Sequence, residues 1–591
     1  MLSIQQQIIL SYLKNPNREM DSVRRDVLRG QKSSRDVAKS DLLKAYHELL
    51  KRGKITKSVQ LEKMLIKRRV RTLSGVAIVT VLTKPWPCPG KCIYCPDEAR
   101  MPKSYLSDEP AAARALALKF DPYEQVARRI ETLRGNGHPT DKIELIVKGG
   151  SWNAYPLDYQ YWFIGRCFEA ANTARCHSRV NGNLRLIGAD LRFRGDDKQQ
   201  GSSPPEADRH SSVGMTNARM TALQKKNETA KHRIVGLTLE TRPDLITEET
   251  IKTMRELGCT RIEMGAQTID DKILKLVKRG HDSESVKAAT RLLKNYGFKV
   301  DYHLMPQLPG STPQKDFKMM LEIFKNPDYR PDMIKIYPCT VIKGTELYGW
   351  LKKGKYKPYS DKKLIELLIK FKTTVPRYVR ISRLIRDIPS HHIMGGNIMT
   401  NLRQVIQAQM AERGLKCNCL RCREVGHSHY PLLPEEGSER SDGGGGSNLK
   451  LFVNKYEASD GTEYFLSFED SKRQVVYAFC RLRIATNTLS LIPNTYAAFI
   501  RELHTYGQLI SLKPSFALRA TAGKQKNNKA IKQKDDIQHT GLGRQLMAEA
   551  EKICRKQKID RLAVISGIGV RDYYRKLGYH LEGGYMVKKL N

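Results

Sequence analysis

The sequence predicts an α/β protein: a partial (β/α) barrel, a second and smaller α/β domain, and an N-terminal basic helical segment in front. Three observations carry this. From Gly75 onward, short strand-like runs alternate with helical ones, the pattern of a parallel sheet or barrel with helices outside. A glycine-rich break, Gly443-Gly444-Gly445-Gly446-Ser447, precedes a separate α/β stretch, as a flexible linker would. The first 71 residues show helical spacing and hold 18 Lys and Arg against 7 Asp and Glu.

In the first segment, Ile4, Ile8, Ile9 and Tyr12 fall on one helical face. Ser40-Asp41-Leu42-Leu43 reads as a capped helix start and Gly53 as its close. The segment ends in Lys67-Arg68-Arg69-Val70-Arg71. Strands are then expected over 76–81, 143–147, 234–239, 261–264, 300–304 and 333–337. Arg194 to Ser212 is polar and rich in Gly, Pro, Asp and Ser, and is expected to be a mobile insertion. The resulting division is 1–70, 71–400, a connector and linker at 401–447, and 448–591.

At 591 residues the chain exceeds what one core can organise. A 40% hydrophobic composition excludes global disorder. No run reaches the roughly 18 apolar residues of a membrane span, and Met1-Leu2-Ser3-Ile4 lacks a secretory start; a cytoplasmic protein is expected. The formal charge of +41 favours a polyanionic partner such as nucleic acid. A second basic run, Lys524 to Lys534, has five lysines and no acid.

Six of the twelve cysteines sit in two clusters, which in a cytosolic chain points to metal. Cys88, Cys92 and Cys95 follow a predicted strand at C-x3-C-x2-C spacing. Three thiolates on one loop can hold an iron–sulfur cluster and leave one iron open. A zinc knuckle is the plainer alternative, but the spacing is that of the radical S-adenosylmethionine superfamily. Cys417, Cys419 and Cys422, at C-x-C-x2-C, fit structural zinc. A fourth ligand is then needed, from His427, His429, His391, His392 or Cys339.

In the last domain, Ile537-Gln538-His539-Thr540-Gly541-Leu542-Gly543 opens a helix whose N–H groups can cradle a pyrophosphate. Gln-x-x-Gly-x-Gly is the signature of GNAT acetyltransferases. It is flanked by Glu502-Leu503-His504-Thr505 at a strand end and by Asp572-Tyr573-Tyr574-Arg575-Lys576-Leu577-Gly578-Tyr579.

These strings, with 71–77, Phe120-Asp121-Pro122-Tyr123, Lys148-Gly149-Gly150-Ser151, Leu239-Glu240-Thr241-Arg242-Pro243-Asp244, Arg279-Gly280-His281 and Asp387-Ile388-Pro389, resemble the catalytic subunit of Elongator, in its prokaryotic form. The resemblance runs over most of 70–591. It implies a partial radical S-adenosylmethionine barrel plus a GNAT domain, a 4Fe–4S cluster on Cys88, Cys92 and Cys95, and S-adenosylmethionine beside Gly149, Gly150, Glu240 and Arg242. It implies acetyl-CoA on Lys142, on Glu502, Leu503, His504 and Thr505, on Ile537, Gln538, His539, Gly541 and Gly543, and on Tyr574. Tyr574 and Lys142 become the catalytic candidates, and Cys339 the fourth zinc ligand. Plainer readings stay open: a turn at Gly149-Gly150, an ion pair of Glu240 with Arg242, and helix packing for Tyr573 or Tyr574.

The implied activity is that of a tRNA carboxymethyluridine synthase. A 5′-deoxyadenosyl radical and acetyl-CoA would carboxymethylate C5 of the wobble uridine in the tRNA anticodon stem-loop. Lys67, Arg68, Arg69 and Arg71 would meet tRNA phosphates, with the target base splayed out. Self-association is compatible with the sequence, and further Elongator-type subunits are not implied. The competing readings are a protein lysine acetyltransferase with a structural iron–sulfur domain, and a tRNA scaffold with a degenerate barrel.

Overall fold

The computed structural model describes residues 2–31, 37–66, 74–173, 216–425, 449–485, 497–506 and 541–590. The basic run 67–71, the 194–212 insertion, the 443–447 linker, the lysine run 524–534, and His427, His429, Ile537, Gln538 and His539 lie outside them.

Helices Ile4–Lys14, Met20–Gly30, Lys39–Lys51 and Val59–Leu65 share a small core of Ile8, Ile9, Tyr12, Val23, Leu42, Tyr46, Leu49 and Leu61. The expected apolar face is the buried one. The third helix starts behind Ala38, which offers no side-chain cap, so Ser40 lies inside the first turn rather than capping it. Gly53, at φ +64°, closes that segment as expected.

The first sheet contains β1 (Ala77–Leu82), β2 (Lys142–Lys148), β3 (Arg233–Thr241), β4 (Arg261–Gln267), β5 (Lys299–Leu304), β6 (Met333–Ile336) and β8 (Arg380–Arg383), in that order. Between the last two runs the short β7 (Val341–Ile342), which pairs with β9 (Ile393–Gly395) in a small ribbon. Every neighbouring pair in the large sheet is parallel, so helices must carry the chain back between strands. One of these, Pro122–Gly135, starts on the Asp121 carboxylate, which accepts from Glu124 N at 2.9 Å, with proline at its first position. Its Val126, Ile130 and Leu133 are buried. The sheet order is open, with β1 and β8 at its edges, which makes a half-barrel.

The period of two decides what lines that barrel. On β2, Ile143, Leu145 and Val147 are buried under helices, whereas Lys142, Glu144, Ile146 and Lys148 face the lumen. A fully apolar strand would have filled the lumen; this one leaves it polar and open.

The second sheet contains β10 (Lys450–Glu457), β11 (Gly461–Glu469), β12 (Val476–Ala485), β13 (Ala498–Thr505), β14 (Arg561–Val564), β16 (Tyr585–Lys589) and β15 (His580–Glu582), in that order. All its pairs are antiparallel except β13 with β14. That parallel pairing covers only Ala498–Ile500, so Glu502–Thr505 run past the end of β14 with one edge unpaired by it.

One hydrophobic core runs through both sheets, from Val79 and Leu145 to Phe499, Ile568 and Met586. Their approach is close: a Cβ on Gly567 would lie 2.0 Å from Val235 O. Polar groups close the seam. The Tyr585 hydroxyl donates to Tyr296 O at 3.0 Å, and Arg255 Nη2 donates to Ser566 O at 3.0 Å and Gly584 O at 2.8 Å. Arg501, fully buried, joins Asp332 of β6's approach to Glu463 of β11.

Candidate active site

The lumen of the half-barrel belongs to a single cavity of about 1460 Å³ that also reaches the second sheet. Its walls carry Lys148 from β2, Glu240 from β3, Arg261 and Glu263 from β4, Asp301 and His303 from β5, and Lys335 from β6. Glu263, fully buried, is the hub. It pairs with Lys148 and Lys335, and His303 Nε2 lies 3.3 Å from it. Glu240 lies 3.3 Å from Lys148 and accepts from the Tyr105 hydroxyl at 2.9 Å.

Electrostatics sort these groups. Burial alone would raise Glu263, but Lys148 and Lys335 hold its carboxyl well below the usual range. Burial lowers Lys335 to about 8, an ammonium poised near neutrality. Burial raises Asp301 to about 7, and among the described residues neither of its oxygens has a hydrogen-bond partner. Two groups titrating near neutral pH inside a cavity are suited to exchanging protons with a ligand there.

At the C-terminal ends of the strands lies the loop after β1, with Tyr94, Cys95 and Pro96 in the cavity wall. The loop is fixed by Ile93 N donating to Val277 O at 3.2 Å and Cys95 N to Cys92 O at 3.1 Å. Arg279 Nη1 donates to Cys92 Sγ at 3.5 Å, and buried Ile93, Ile273, Val277 and Leu308 pack behind the cysteines. Three thiols on a fixed loop, a guanidinium at one sulfur and an apolar backing suit a thiolate-held iron–sulfur cluster. Among the described residues the buried Arg242 Nη1 has no hydrogen-bond partner, and it lies beneath Gly90 of this loop. An anionic group such as a carboxylate would satisfy it. Arg242 is not paired with Glu240; its carboxylate is Asp244, at 2.9 Å. Gly149, at φ +134°, is demanded by packing, since a Cβ there would meet Thr83 Oγ1 at 1.8 Å.

At the N-terminal ends of the strands stands the second sheet. Lys142 of β2 lines the cavity with Glu502, Leu503, His504, Thr505, Gly541, Gly543, Tyr573 and Tyr574. Glu502 is anchored from both domains, by Arg481 at 2.9 Å and Lys299 of β5 at 3.7 Å. Gly541, at φ +79°, caps the helix Leu542–Lys556. The helix N-terminus thus opens next to the stretch of β13 that runs past β14, an arrangement that suits a phosphate and the amides of an extended arm. Tyr573 and Tyr574 meet edge-on at 5.2 Å, and Tyr574 is buried while still lining the cavity. β2 spans seven residues, so the two mouths stand ~20 Å apart at the parallel rise of about 3.3 Å per residue.

Cys417, Cys419 and Cys422 bring their sulfurs within 4.8 Å of one another, and Lys372 Nζ lies 3.7 Å from Cys422 Sγ. Hydrogen bonds from Cys417 and Cys422 hold the Cys419 thiol well below its usual range. Such a trio suits a tetrahedral thiophilic ion. Cys339 does not join it. It is buried instead in the apolar cluster of Ile93, Tyr94 and Val341, behind the other cysteine loop. It follows β6, whose C-terminal end faces that loop, whereas the trio lies beyond β8. His391 and His392 are also elsewhere, grouped with Asp108.

Lys148, Glu263, Asp301, His303 and Lys335 line the site without being among the residues expected there. The signal was present: charged residues two apart in otherwise apolar strands, as in Asp301/His303 and Arg261/Glu263.

Residues 213–323 match the Radical SAM superfamily, 331–412 the Radical SAM C-terminal domain and 533–589 the acetyltransferase (GNAT) domain. A tRNA uridine(34) acetyltransferase of Methanocaldococcus infernus is 44% identical over 536 residues, covering 89% of this chain and 88% of the relative. Elongator complex protein 3 of Danio rerio is 34% identical, covering 88% and 85%. The solved structure of the Methanocaldococcus infernus Elp3, with its N-terminus (1–46) deleted, superposes with a TM-score of 0.67 at 40% identity. It covers 87% of this chain and 99% of that one.

Proposed function

The chain belongs to the family of tRNA uridine(34) acetyltransferases and Elongator complex protein 3, and from that premise we propose that it is a tRNA carboxymethyluridine synthase acting at C5 of the wobble uridine. The observation that supports this best is the one cavity shared by the two halves. A plain acetyltransferase has no use for a polar barrel lumen opening onto its acyl site.

Cys88, Cys92 and Cys95 would hold a 4Fe–4S cluster, and Arg242 and Glu240 would face S-adenosylmethionine beside Gly149 and Gly150. Together these groups, when bound, supply a 5′-deoxyadenosyl radical, and acetyl-CoA supplies the two-carbon unit. The protein's own part is positional and acid–base. Lys142 and the end of β13 beyond β14 take the acyl donor. Ile537, Gln538 and His539 with Gly541 and Gly543 take its pyrophosphate, and Tyr574 sits at the thioester. Asp301 and Lys335, close to neutrality, can move the proton that carbon–carbon bond formation at a uracil ring requires. Zinc on Cys417, Cys419 and Cys422 would pin the connector, with Lys372 balancing the excess thiolate charge. Lys67, Arg68, Arg69 and Arg71, the basic run that follows the helical segment in sequence, would meet tRNA phosphates. Among the described residues no helix is long and apolar enough to cross a membrane, and a cytoplasmic tRNA substrate suits the reading.

The test is anaerobic turnover of tRNA with isotopically labelled acetyl-CoA, S-adenosylmethionine and a reductant, followed by nucleoside mass spectrometry. Label in a carboxymethylated uridine is expected. Label found only on protein lysines would replace the proposal with the acetyltransferase reading.

A further inference from the structure

Two adjacent histidines, considered above for zinc, have a different partner. His391 and His392 lie in a short 3-10 turn, Ser390–His392, just before β9. Both Nε2 atoms lie 2.8 Å from the same oxygen, Oδ2 of Asp108. Their rings stand 4.2 Å apart, centroid to centroid. Neighbouring side chains on an extended backbone point apart; the tight turn is what aims both imidazoles at one carboxylate 283 positions away in sequence from His391.

We propose that Asp108, His391 and His392 form a site for a late first-row divalent cation such as zinc, separate from both cysteine clusters. The ligand atoms all lie within 4.8 Å of one another. Zinc takes imidazole nitrogen and carboxylate oxygen at about 2.0–2.2 Å, so small ring rotations admit an ion among the three. The donor set selects the metal: two imidazoles favour zinc, cobalt, nickel or copper, whereas magnesium and calcium require oxygen. Binding balances simply. An imidazolium releases its Nε2 proton to solvent and a neutral ring binds as its Nδ1–H tautomer, so each Nε2 offers a lone pair to the cation while the carboxylate stays ionised.

The surroundings support a site rather than a chance surface pair. Leu106 and Ile393, close to the ligands in sequence, belong to one small apolar cluster with the buried Ile342 and Ile388. The two chain segments it ties together are already fastened nearby, where Arg386 reaches Ser104 Oγ at 2.8 Å and Glu109 at 2.9 Å. Both segments line the cavity: Ser104, Tyr105 and Glu109 on one side, Arg386, Asp387 and Ile388 on the other. Tyr105 in turn holds Glu240. A cation here would clasp the rim of the barrel beside the cysteine loop. His391 is largely exposed, at 68% of its side chain, so the three protein ligands leave coordination positions open to solvent.

Cobalt(II) is the probe, because thiolate sites give it an intense sulfur-to-metal charge-transfer band that a site of nitrogen and oxygen lacks. The full chain would be titrated anaerobically beside Asp108→Asn and the double variant His391→Gln with His392→Gln. Each variant should retain the thiolate band and bind one cobalt fewer per chain. Cobalt should also raise the melting temperature of the parent chain more than that of either variant. Unchanged cobalt stoichiometry in the double variant would overturn the site. So would loss of the thiolate band together with the missing equivalent, since that would place the ion at the cysteines.

Discussion

Arg501→Met tests the seam between the two domains. Arg501 is fully buried and spends its guanidinium on both sides. It donates to Phe298 O at 2.6 Å and Asp332 Oδ2 at 2.8 Å from the barrel, and to Glu463 Oε2 at 3.1 and 3.2 Å from the second sheet. Without it, Glu463 keeps Lys294 at 3.6 Å and Arg483 at 3.2 Å. Among the described residues the Asp332 carboxylate keeps Val300 N at 2.9 Å and Arg481 at 3.7 Å, with the Lys294 ammonium acting on it through charge alone. Asp332 is therefore the group left short, and removing one partner of a buried pair costs about 3–5 kcal/mol. Removing the stranded carboxylate as well, in Arg501→Met with Asp332→Leu, should recover part of that. The remaining deficit comes from Phe298 O and Val300 N, at about 1–3 kcal/mol for each buried polar group left unmet. Urea unfolding followed by tryptophan fluorescence is the assay. All four tryptophans (Trp86, Trp152, Trp162 and Trp350) precede the second sheet, so they report whether the barrel is lost with the seam. A single variant as stable as the parent, or a double variant worse than the single, would refute this account.

Glu502 gives a pH signature. Burial alone would raise its carboxyl, but Lys299 and Arg481 outweigh burial and hold it at about 2. A folded value below the unfolded one, about 4.3, contributes stability above that pH and loses it as pH falls toward 2. Glu502→Gln should therefore flatten the acid limb of the stability curve; an unchanged limb would count against the pairing. Replacing Cys88, Cys92 and Cys95 with alanine should abolish iron binding and leave zinc intact, by metal analysis of anaerobic protein. Iron retained in that variant would reassign the cluster. Lys142→Ala and Tyr574→Phe should each slow acetyl-CoA hydrolysis in the presence of tRNA by tenfold or more, roughly 1.4 kcal/mol in barrier. CoA release measures it, and a parental rate in Lys142→Ala would mean the barrel does not serve the acyl site.

Local signals made much of the architecture legible in the sequence. Strand runs of period two, separated by helical ones, placed β1 through β6 within a residue or two of each end, apart from β4, which runs on to Gln267. They succeeded because burial on the outer face of each strand is a local property, written in alternate positions such as Ile143, Leu145 and Val147. The spacing of Cys417, Cys419 and Cys422 and the Gly541–Leu542 helix start were equally local. The cap expected at Ser40 failed within the same range, because the packing of Leu42, Leu43 and Tyr46 fixes where that helix begins. What the sequence could not show was which distant residues meet. Cys339 went with the wrong cluster because its partners depend on which end of β6 it follows. Asp108 finds His391 and His392 only because the half-barrel brings the segments after β1 and β8 to one rim. Lys148, Glu240, Glu263 and Lys335 come from four strands, and only curvature of the sheet turns four separate charges into one neutralised cluster. A buried charge is tolerable only beside its opposite, and that neighbour is supplied by tertiary structure.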